Sequence, residues 1–526
     1  MLRTLFYQMP MGAVDPDNLR LPSDSFERRL RDELPNIVSV DDFADWYSGS
    51  EGAPTCCPLQ LTGMLLLQMR YDLSDNDIVA RALRDLGFRY ALRLEGQQKS
   101  PSLTSLRRHR TNLRERMGED FLHRRVLALA TERSLLLDID LQAQDSTNTD
   151  CRGAVIDTFN LIAAGMRQVI RVVARALGRE PGNLAAEWEM SRYLARSIKG
   201  QAAIDWTSEE ERNRLLTEEI GDADRLPALV VALGVTLPPT VDEALALLQD
   251  VARQDVEELE DGTFKIKKGT KKGRVVSVTD PEARHGRKSG SKVITGFKTH
   301  VQGTITSQFV TGIVMSDAGK HDSEPSTDLI DQSAEVGLKP ADVVADAAYG
   351  TGANIRACAE LGVPILTKLP KPSSKGCLGK REFDIDLEKM TVTCPVGQTT
   401  TEFTMVKAPD GGAEKVPSFK FPKAVCQACP LVQQCNSETR KGKRRFVKLS
   451  AYEPELQRTK EFNATPRAKE VLRSRSAIER LISHLVRMGL RHARFFGMHM
   501  VQYQAYLTAA AYNLQRIFTL TTKEPA

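Results

Sequence analysis

No apolar run in the sequence approaches the roughly 20 residues that a membrane span needs, so no membrane partner is expected. The opening Met1-Leu2-Arg3-Thr4-Leu5-Phe6 lacks the long apolar stretch of a secretion signal, and the expectation is a cytoplasmic chain. The eight histidines are scattered and build no ligand cluster. Charge of one sign is also scarce in total: a net +5 over 526 residues decides little. Nine cysteines in a reducing compartment are expected to be free or metal-bound rather than paired.

What is present fits a soluble globular protein of several domains, with 41% hydrophobic and 27% charged residues. The charge is unevenly spread. Lys265 to Lys292 carries ten Lys and Arg against Asp280 and Glu282, and Arg458 to Arg494 carries ten against Glu461, Glu470 and Glu479. Acidic residues crowd Ser208 to Asp224 and Asp242 to Asp261 instead. Segregated basic segments suit a polyanion-facing surface, although each segment read alone is also an ordinary solvated face.

Along the chain, residues 1–130 read as an N-terminal all-α domain. Ser74 is placed to cap a helix from Asp75 to Leu86 that Gly87 ends, and Ser102 to cap a basic helix from Leu103 to Met117. Helix, turn and basic helix suit a DNA-binding unit, and equally a helical bundle with a charged exterior. From Ser134 to Ser146, Leu137, Ile139 and Leu141 alternate with polar residues, predicting a strand with Asp145 at its end and with Asp138 and Asp140 turned to solvent. That strand opens the first part of a core (131–150). A helical insertion (151–274) follows, helical from Val155 to about Leu259. The core resumes over 275–370 with a hairpin of Lys292–Thr304 and Gln308–Met315, and with a strand, turn and helix around Ala341–Leu361. A Cys-rich insertion (371–449) precedes a last helical part of the core (450–520).

Three carboxylates carry the chemistry. Asp346 ends the apolar strand Val343-Val344-Ala345, where open α/β sheets place their sites; a helix-capping Asp is the plainer reading of that residue alone. Asp145 ends the first strand, with Asp150 a nearby rival carboxylate. Glu479 borders the apolar stripe of Ile478, Leu481, Ile482 and Leu485, with Arg475 one turn earlier, where a surface ion pair would also account for it. The order of elements is that of an RNase H-like mixed sheet flanked by helices, an α/β fold. Three carboxylates suit two Mg²⁺ or Mn²⁺ ions, which activate an attacking oxygen and stabilise a leaving one.

Taken in order, Asp145-Ser146-Thr147, Asp280-Pro281-Glu282-Ala283-Arg284-His285-Gly286-Arg287-Lys288, Gly296-Phe297-Lys298-Thr299-His300, Ala345-Asp346-Ala347-Ala348-Tyr349-Gly350, Arg475-Ser476-Ala477-Ile478-Glu479 and Gly489-Leu490-Arg491-His492-Ala493-Arg494 resemble the bacterial insertion-sequence transposases with a DDE active site. The resemblance implies that Asp145, Asp346 and Glu479 are catalytic metal ligands. It also implies that Arg475 is the Arg preceding the Glu in that family's last motif. Family members often carry a Tyr and a Lys where this sequence has Leu472 and Val486. Arg487 lies one residue on from the latter, about 80° from the Glu479 direction on an ideal helix. The cations expected to meet DNA are Arg107, Arg108, Arg110, Arg287, Lys288, Lys298, Arg475 and Arg487, with His285 and His300 as further candidates to meet phosphate. The resemblance further implies double-stranded DNA, both terminal repeats and target, and a homodimer or DNA-assembled oligomer as partners. A non-catalytic DNA-binding derivative and a stand-alone RNase H-like nuclease are the alternatives.

Cys394, Cys426, Cys429 and Cys435 are spaced C-x31-C-x2-C-x5-C, and four thiolates complete a tetrahedral structural zinc site.

Overall fold

The computed structural model describes residues 21–46, 56–94, 99–136, 138–269, 271, 273–287, 293–370, 378–409, 414–435 and 444–521. Lys288 lies outside the described residues.

The N-terminal part holds helices α1 (Phe26–Ile37), α2 (Pro58–Arg70), α3 (Asp75–Arg84), α4 (Leu103–Met117) and α5 (Phe121–Glu132). Ser74 and Ser102 act as caps, accepting from Asp77 N at 3.1 Å and Ser105 N at 3.1 Å. Gly87 is not a terminator. Helix α3 ends at Arg84 because Asp85 caps a further short helix, Leu86–Ala91, by accepting from Gly87 N and Phe88 N.

The sheet is built from β1 (Leu141–Asp150), β2 (Arg284–Arg287), β3 (Val293–Thr304), β4 (Val310–Asp317), β5 (Asp342–Ala345) and β6 (Ile365–Leu366). Its spatial order is β4–β3–β1–β5–β6, with β2 on the start of β3. Strand β1 is antiparallel to β3 and parallel to β5, and β5 is parallel to β6. This is the RNase H-like mixed sheet.

The first strand is displaced from its expected position. Asp138 lies before it and holds the β3–β4 turn, accepting from Ser307 N at 3.2 Å. Gln142, one of the polar residues of the alternation, and Gln144 are fully buried. They are satisfied by a closed amide network beneath the helix α6 at Ser326–Glu335: Gln144 Nε2 donates to Gln302 Oε1 at 2.7 Å, Gln302 Nε2 to Gln142 Oε1 at 3.0 Å, and Ser326 Oγ to Gln144 Oε1 at 2.8 Å. Both faces of the strand are therefore covered, Ala143 in the hydrophobic core and the paired amides under α6, so alternation alone does not tell inside from outside.

Between β1 and β2 lies a helical module with its own apolar core, on three long helices: Thr158–Ala176, Glu209–Ala232 and Pro239–Gln254. The expected helical run ends at Gln254, and Val256–Glu258 pairs with Phe264–Ile266 as a small hairpin. The Cys-rich segment forms two three-stranded sheets over a core of Phe383, Val392, Phe419, Phe421, Val447 and Leu449. After it come helices α7 (Glu453–Ala464), α8 (Pro466–Ser474), α9 (Ser476–Leu485) and α10 (Met498–Thr521). Helix α10 packs on α2, α5 and β4, so the N-terminal helices and the sheet share one hydrophobic core. Gly489 fixes the seam between them. Its φ is +89°, and a Cβ there would meet the Asp72 carboxylate at 2.1 Å. No described helix is long and apolar enough to cross a membrane.

Candidate functional site

The parallel register of β1 and β5 runs from Leu141 opposite Asp342 to Gln144 opposite Ala345. Asp145 and Asp346 are the next residue on each strand, so the two stand side by side where the strands part. Asp145 is not at the end of its strand, as expected from sequence. Strand β1 runs on to Asp150, because its antiparallel pairing with β3 continues to Asp150 opposite Gly296. What ends at Asp145 is the parallel neighbour, and that opens the sheet edge. Asp346 also fulfils its plainer role: its Oδ1 accepts from Ala348 N at 2.8 Å and starts a single 3₁₀ turn.

Helix α9 lies against β1 and β3 through Ile478, Leu481 and Leu485, all buried in the shared core. That packing aims Glu479 at the two aspartates. Arg475 joins them: Nη1 lies 3.1 Å from Asp145 Oδ2, and Nη2 lies 2.5 Å from Glu479 Oε1. The i,i+4 ion pair and the carboxylate cluster are thus one structure. Asp145, Asp346, Arg475 and Glu479 line a single open cavity of about 660 Å³.

Burial pushes the Asp145 carboxyl up to about 6; Asp346 and Glu479 push the same way, while the Ser146 amide and Arg475 oppose them. Tyr349 is buried close by, and its phenol is driven far up by burial and then by Asp145, Asp322 and Asp346. At Asp145 itself, burial and the neighbouring carboxylates together outweigh the Arg475 guanidinium and the Ser146 amide.

The predicted DNA-facing cations divide. Arg287 and Lys298 line the cavity, with Lys298 held by Asp322 at 2.8 Å. Arg107 is exposed but rests on Asp75 at 3.1 Å, and Arg108 is exposed. Arg110 is a correction. It is buried, and both Nη atoms donate to Asp75 at 2.7 Å, so it holds α4 to α3 and has no room for a phosphate. Burial alone would raise the Asp75 carboxyl, but the hydrogen bonds from Arg110 and then Gln68 win and hold it far below the usual carboxylate range. His300 is likewise buried, with Nε2 2.9 Å from Ser316 Oγ, and reaches no solvent. His285 is half-buried against Thr295. Arg487 is exposed but turns away from the carboxylates into another cavity, with its guanidinium 2.9 Å from His484 Nδ1. Val486, not Arg487, is the residue that faces the carboxylate cavity. Arg491 belongs to the site although the sequence reading does not select it: it lines the cavity and donates to the Asn148 side chain. Its place within Gly489-Leu490-Arg491-His492 is the signal that could have found it.

Cys394, Cys426, Cys429 and Cys435 line one small cavity with Phe383 and Phe421. Cys394 sits in a tight turn, in which Gly397 N donates to Cys394 O at 2.8 Å with Gly397 at φ +81°. Burial raises the Cys435 thiol; Arg445 opposes this, and Cys426, Cys429 and Cys394 add to it. The carboxylates offer the oxygen donors that hard cations take, and the thiols offer those of zinc. Among the described residues, no three His, Cys, Asp or Glu side chains already stand at ligating geometry. At the carboxylates, the Arg475 guanidinium sits between two of the three.

Two family models match the chain. One, described as a Transposase DDE domain, covers residues 393–518, including Glu479 and the four cysteines. The other, described as a Transposase domain (DUF772), covers residues 17–112. Asp145 and Asp346 lie outside both matches. No curated protein and no solved structure matches the chain.

Proposed function

We propose that this chain is an insertion-sequence DDE transposase, as the two transposase family models that match it support, and that it cuts and joins DNA at the cavity shared by Asp145, Asp346 and Glu479. The observation that carries the proposal is the strand register, which brings Asp145 beside Asp346 with Glu479 facing both. The three carboxylates would hold divalent cations. Bound there, such ions activate the attacking oxygen and stabilise the leaving one during phosphoryl transfer. The chain itself supplies position and charge. Arg287, Lys298 and Arg491 line the same cavity and balance the incoming phosphodiester. No side chain becomes covalently attached to DNA, since the attacking groups are water and then a freed 3′-hydroxyl. The N-terminal helices, packed on the same core, would hold the terminal repeats, and pairing two ends requires a dimer or a DNA-built assembly.

The test is a gel-shift titration beside a Mg²⁺-dependent cleavage assay on terminal-repeat DNA. Asp346→Ala removes a ligand but no cation, so binding persists while cleavage falls by on the order of 10³-fold or more, the several kcal/mol a metal site contributes. Cleavage at the parental rate would remove Asp346 from the centre. Binding lost from a folded variant would favour a non-catalytic DNA-binding protein.

We further infer that Cys394, Cys426, Cys429 and Cys435 close on one structural zinc. Supporting this are their shared cavity and the tight turn at Cys394, together with the small core of the segment that carries them.

A further inference from the structure

Beside the carboxylate cavity lies a second one, of about 610 Å³, lined by Lys368, Arg381, Lys460, Lys469 and Arg473 over a floor that includes Leu369 and Leu472. Among the described residues, no acidic side chain lines it. Lys368, Lys460, Lys469 and Arg473 are exposed, and none forms an ion pair with a described carboxylate. Several other surface cations are held differently: Arg107, Arg124, Arg192, Arg253, Lys265 and Arg356 each have an acidic partner. Four solvated cations around one hollow repel each other, and an anionic occupant relieves that repulsion.

The hollow is joined to the carboxylates through the backbone. The Thr367 hydroxyl donates to the Asp346 carbonyl, and Lys368 follows directly. Helix α8 packs on β5 and β6 and contributes Lys469 and Arg473; two residues later the chain reaches Arg475, which bridges Asp145 and Glu479. Asn463 ties helix α7 to the same edge, its amide donating to Thr367 O at 3.2 Å.

We propose that this basic hollow is a second DNA-binding surface, a phosphate track that carries the duplex backbone away from the carboxylate cavity along the carboxyl ends of β5 and β6. The inference rests on the transposase reading and extends it to residues outside the cations expected to meet DNA. A backbone fits better than a small phosphate ligand. The cations are long, exposed and spread over a wide opening, and the apolar floor suits sugar edges, whereas a mononucleotide site is concave, largely apolar and pre-formed.

The test measures the salt dependence of duplex binding for the full chain and for Lys460→Gln/Lys469→Gln/Arg473→Gln, with thermal melting to confirm folding. Each phosphate that is no longer neutralised should lower the slope of log K against log salt by roughly one, so a drop of about two to three is expected, with weaker binding at low salt. Inorganic phosphate and a mononucleotide, titrated calorimetrically against the parent, should bind only weakly. An unchanged slope in a folded variant would overturn the track. Tight binding of either small phosphate, abolished in the variant while the DNA slope stays fixed, would also overturn it and make the hollow a small-ligand site. If the parent itself bound no DNA, the transposase reading would fail first, and that result is distinct from a parent that binds with a slope indifferent to these residues. Should Lys469→Gln weaken the fold by disturbing α8, Lys460→Gln/Lys368→Gln probes the same hollow from other elements.

Discussion

The helical module after β1 and the Cys-rich segment before α7 interrupt the same sheet and are held together in opposite ways. The helical module buries twenty-nine apolar residues, among them Leu161, Met166, Ile170, Tyr193, Leu216 and Leu248. Its helices are capped by Asp157 and Ser208, whose side chains accept from Asn160 N at 3.4 Å and Glu211 N at 3.3 Å. The core cluster of the Cys-rich segment holds six: Phe383, Val392, Phe419, Phe421, Val447 and Leu449. Each fully buried side chain of this kind contributes about 1.5–3 kcal/mol, and the conformational entropy of a segment this size exceeds what six provide. Cores this small are ordinarily stapled by a disulfide or a metal. Cys394, Cys426 and Cys435 pack directly against the six-residue core, which is where a staple would act. One insertion is thus stable by apolar burial, and the other is expected to depend on its thiols.

Removing zinc should break the two apart with the largest effect. Protein purified without chelator should carry about one zinc per chain, the stoichiometry of a four-thiolate site. Stripping it with a strong chelator and restoring Mg²⁺ should open residues 378–435 to protease while the helical module stays resistant, because folding of small metal domains is linked to binding. Cys429→Ser should behave like the stripped protein. Equal protease resistance before and after stripping would mean that the six-residue core suffices.

A smaller effect should expose a weakness in the large shared core, which the Cys-rich segment lacks because its core holds no histidine. His109 and His123 are buried beneath α2 and β4; Thr62 Oγ1 lies 2.9 Å from His109 Nε2, and Val310 O lies 3.0 Å from His123 Nε2. Burial lowers their pKa values to about 3 and about 4. Both are neutral in the fold, whereas the unfolded chain takes up a proton at each near the ordinary value of about 6.5. Stability is therefore fully present above that value and declines as the pH falls through the window down to the folded values. At pH 5 the loss is about 2 kcal/mol per histidine. In His123→Gln, whose amide can still donate to Val310 O, the slope of stability against pH between 6.5 and 5 should fall by about one proton. Parallel slopes would show that His123 does not carry this dependence.

The same contrast governs what could be read from the sequence. Helices α3 and α4 were legible because Ser74 and Ser102 stand three residues before the amides they accept from. The hairpin of β3 and β4 was legible because its apolar residues recur at the strand period. The first strand was mispositioned because Gln142 and Gln144 are satisfied by partners at Gln302 and Ser326, more than 150 residues away in the chain, and no local pattern marks a polar residue as buried. Arg110 failed for a related reason: a basic helix is a count of charges, and only packing reveals that Asp75 claims two of them, Arg107 and Arg110. Asp145, Asp346 and Glu479 are selected by an ordered set of motifs, and the fold brings them to one cavity, whereas Lys368 and Lys460 belong to no motif and gather only when α7, α8 and β6 meet.

The smallest expected effect concerns Arg475 and sharpens the contrast between a proposed metal site expected to hold without metal and one expected not to. The carboxylates sit on strands and a helix fixed by the shared core, and in the absence of a cation the guanidinium offsets part of their charge. A divalent ion taken up by Asp145 and Glu479 must displace at least one of those two ion pairs, so Arg475 competes with it. Arg475→Ala should therefore raise apparent Mn²⁺ affinity several-fold, since each tenfold corresponds to about 1.4 kcal/mol and a half-exposed ion pair contributes about that or less. Arg475→Lys, which keeps the charge but cannot bridge two carboxylates with one planar fork, should fall between the parent and Ala. Calorimetric Mn²⁺ titration in the absence of DNA reads this directly. Weaker Mn²⁺ binding in Arg475→Ala would show instead that the guanidinium orients the carboxylates for the metal, and that this site too is incomplete until something holds it.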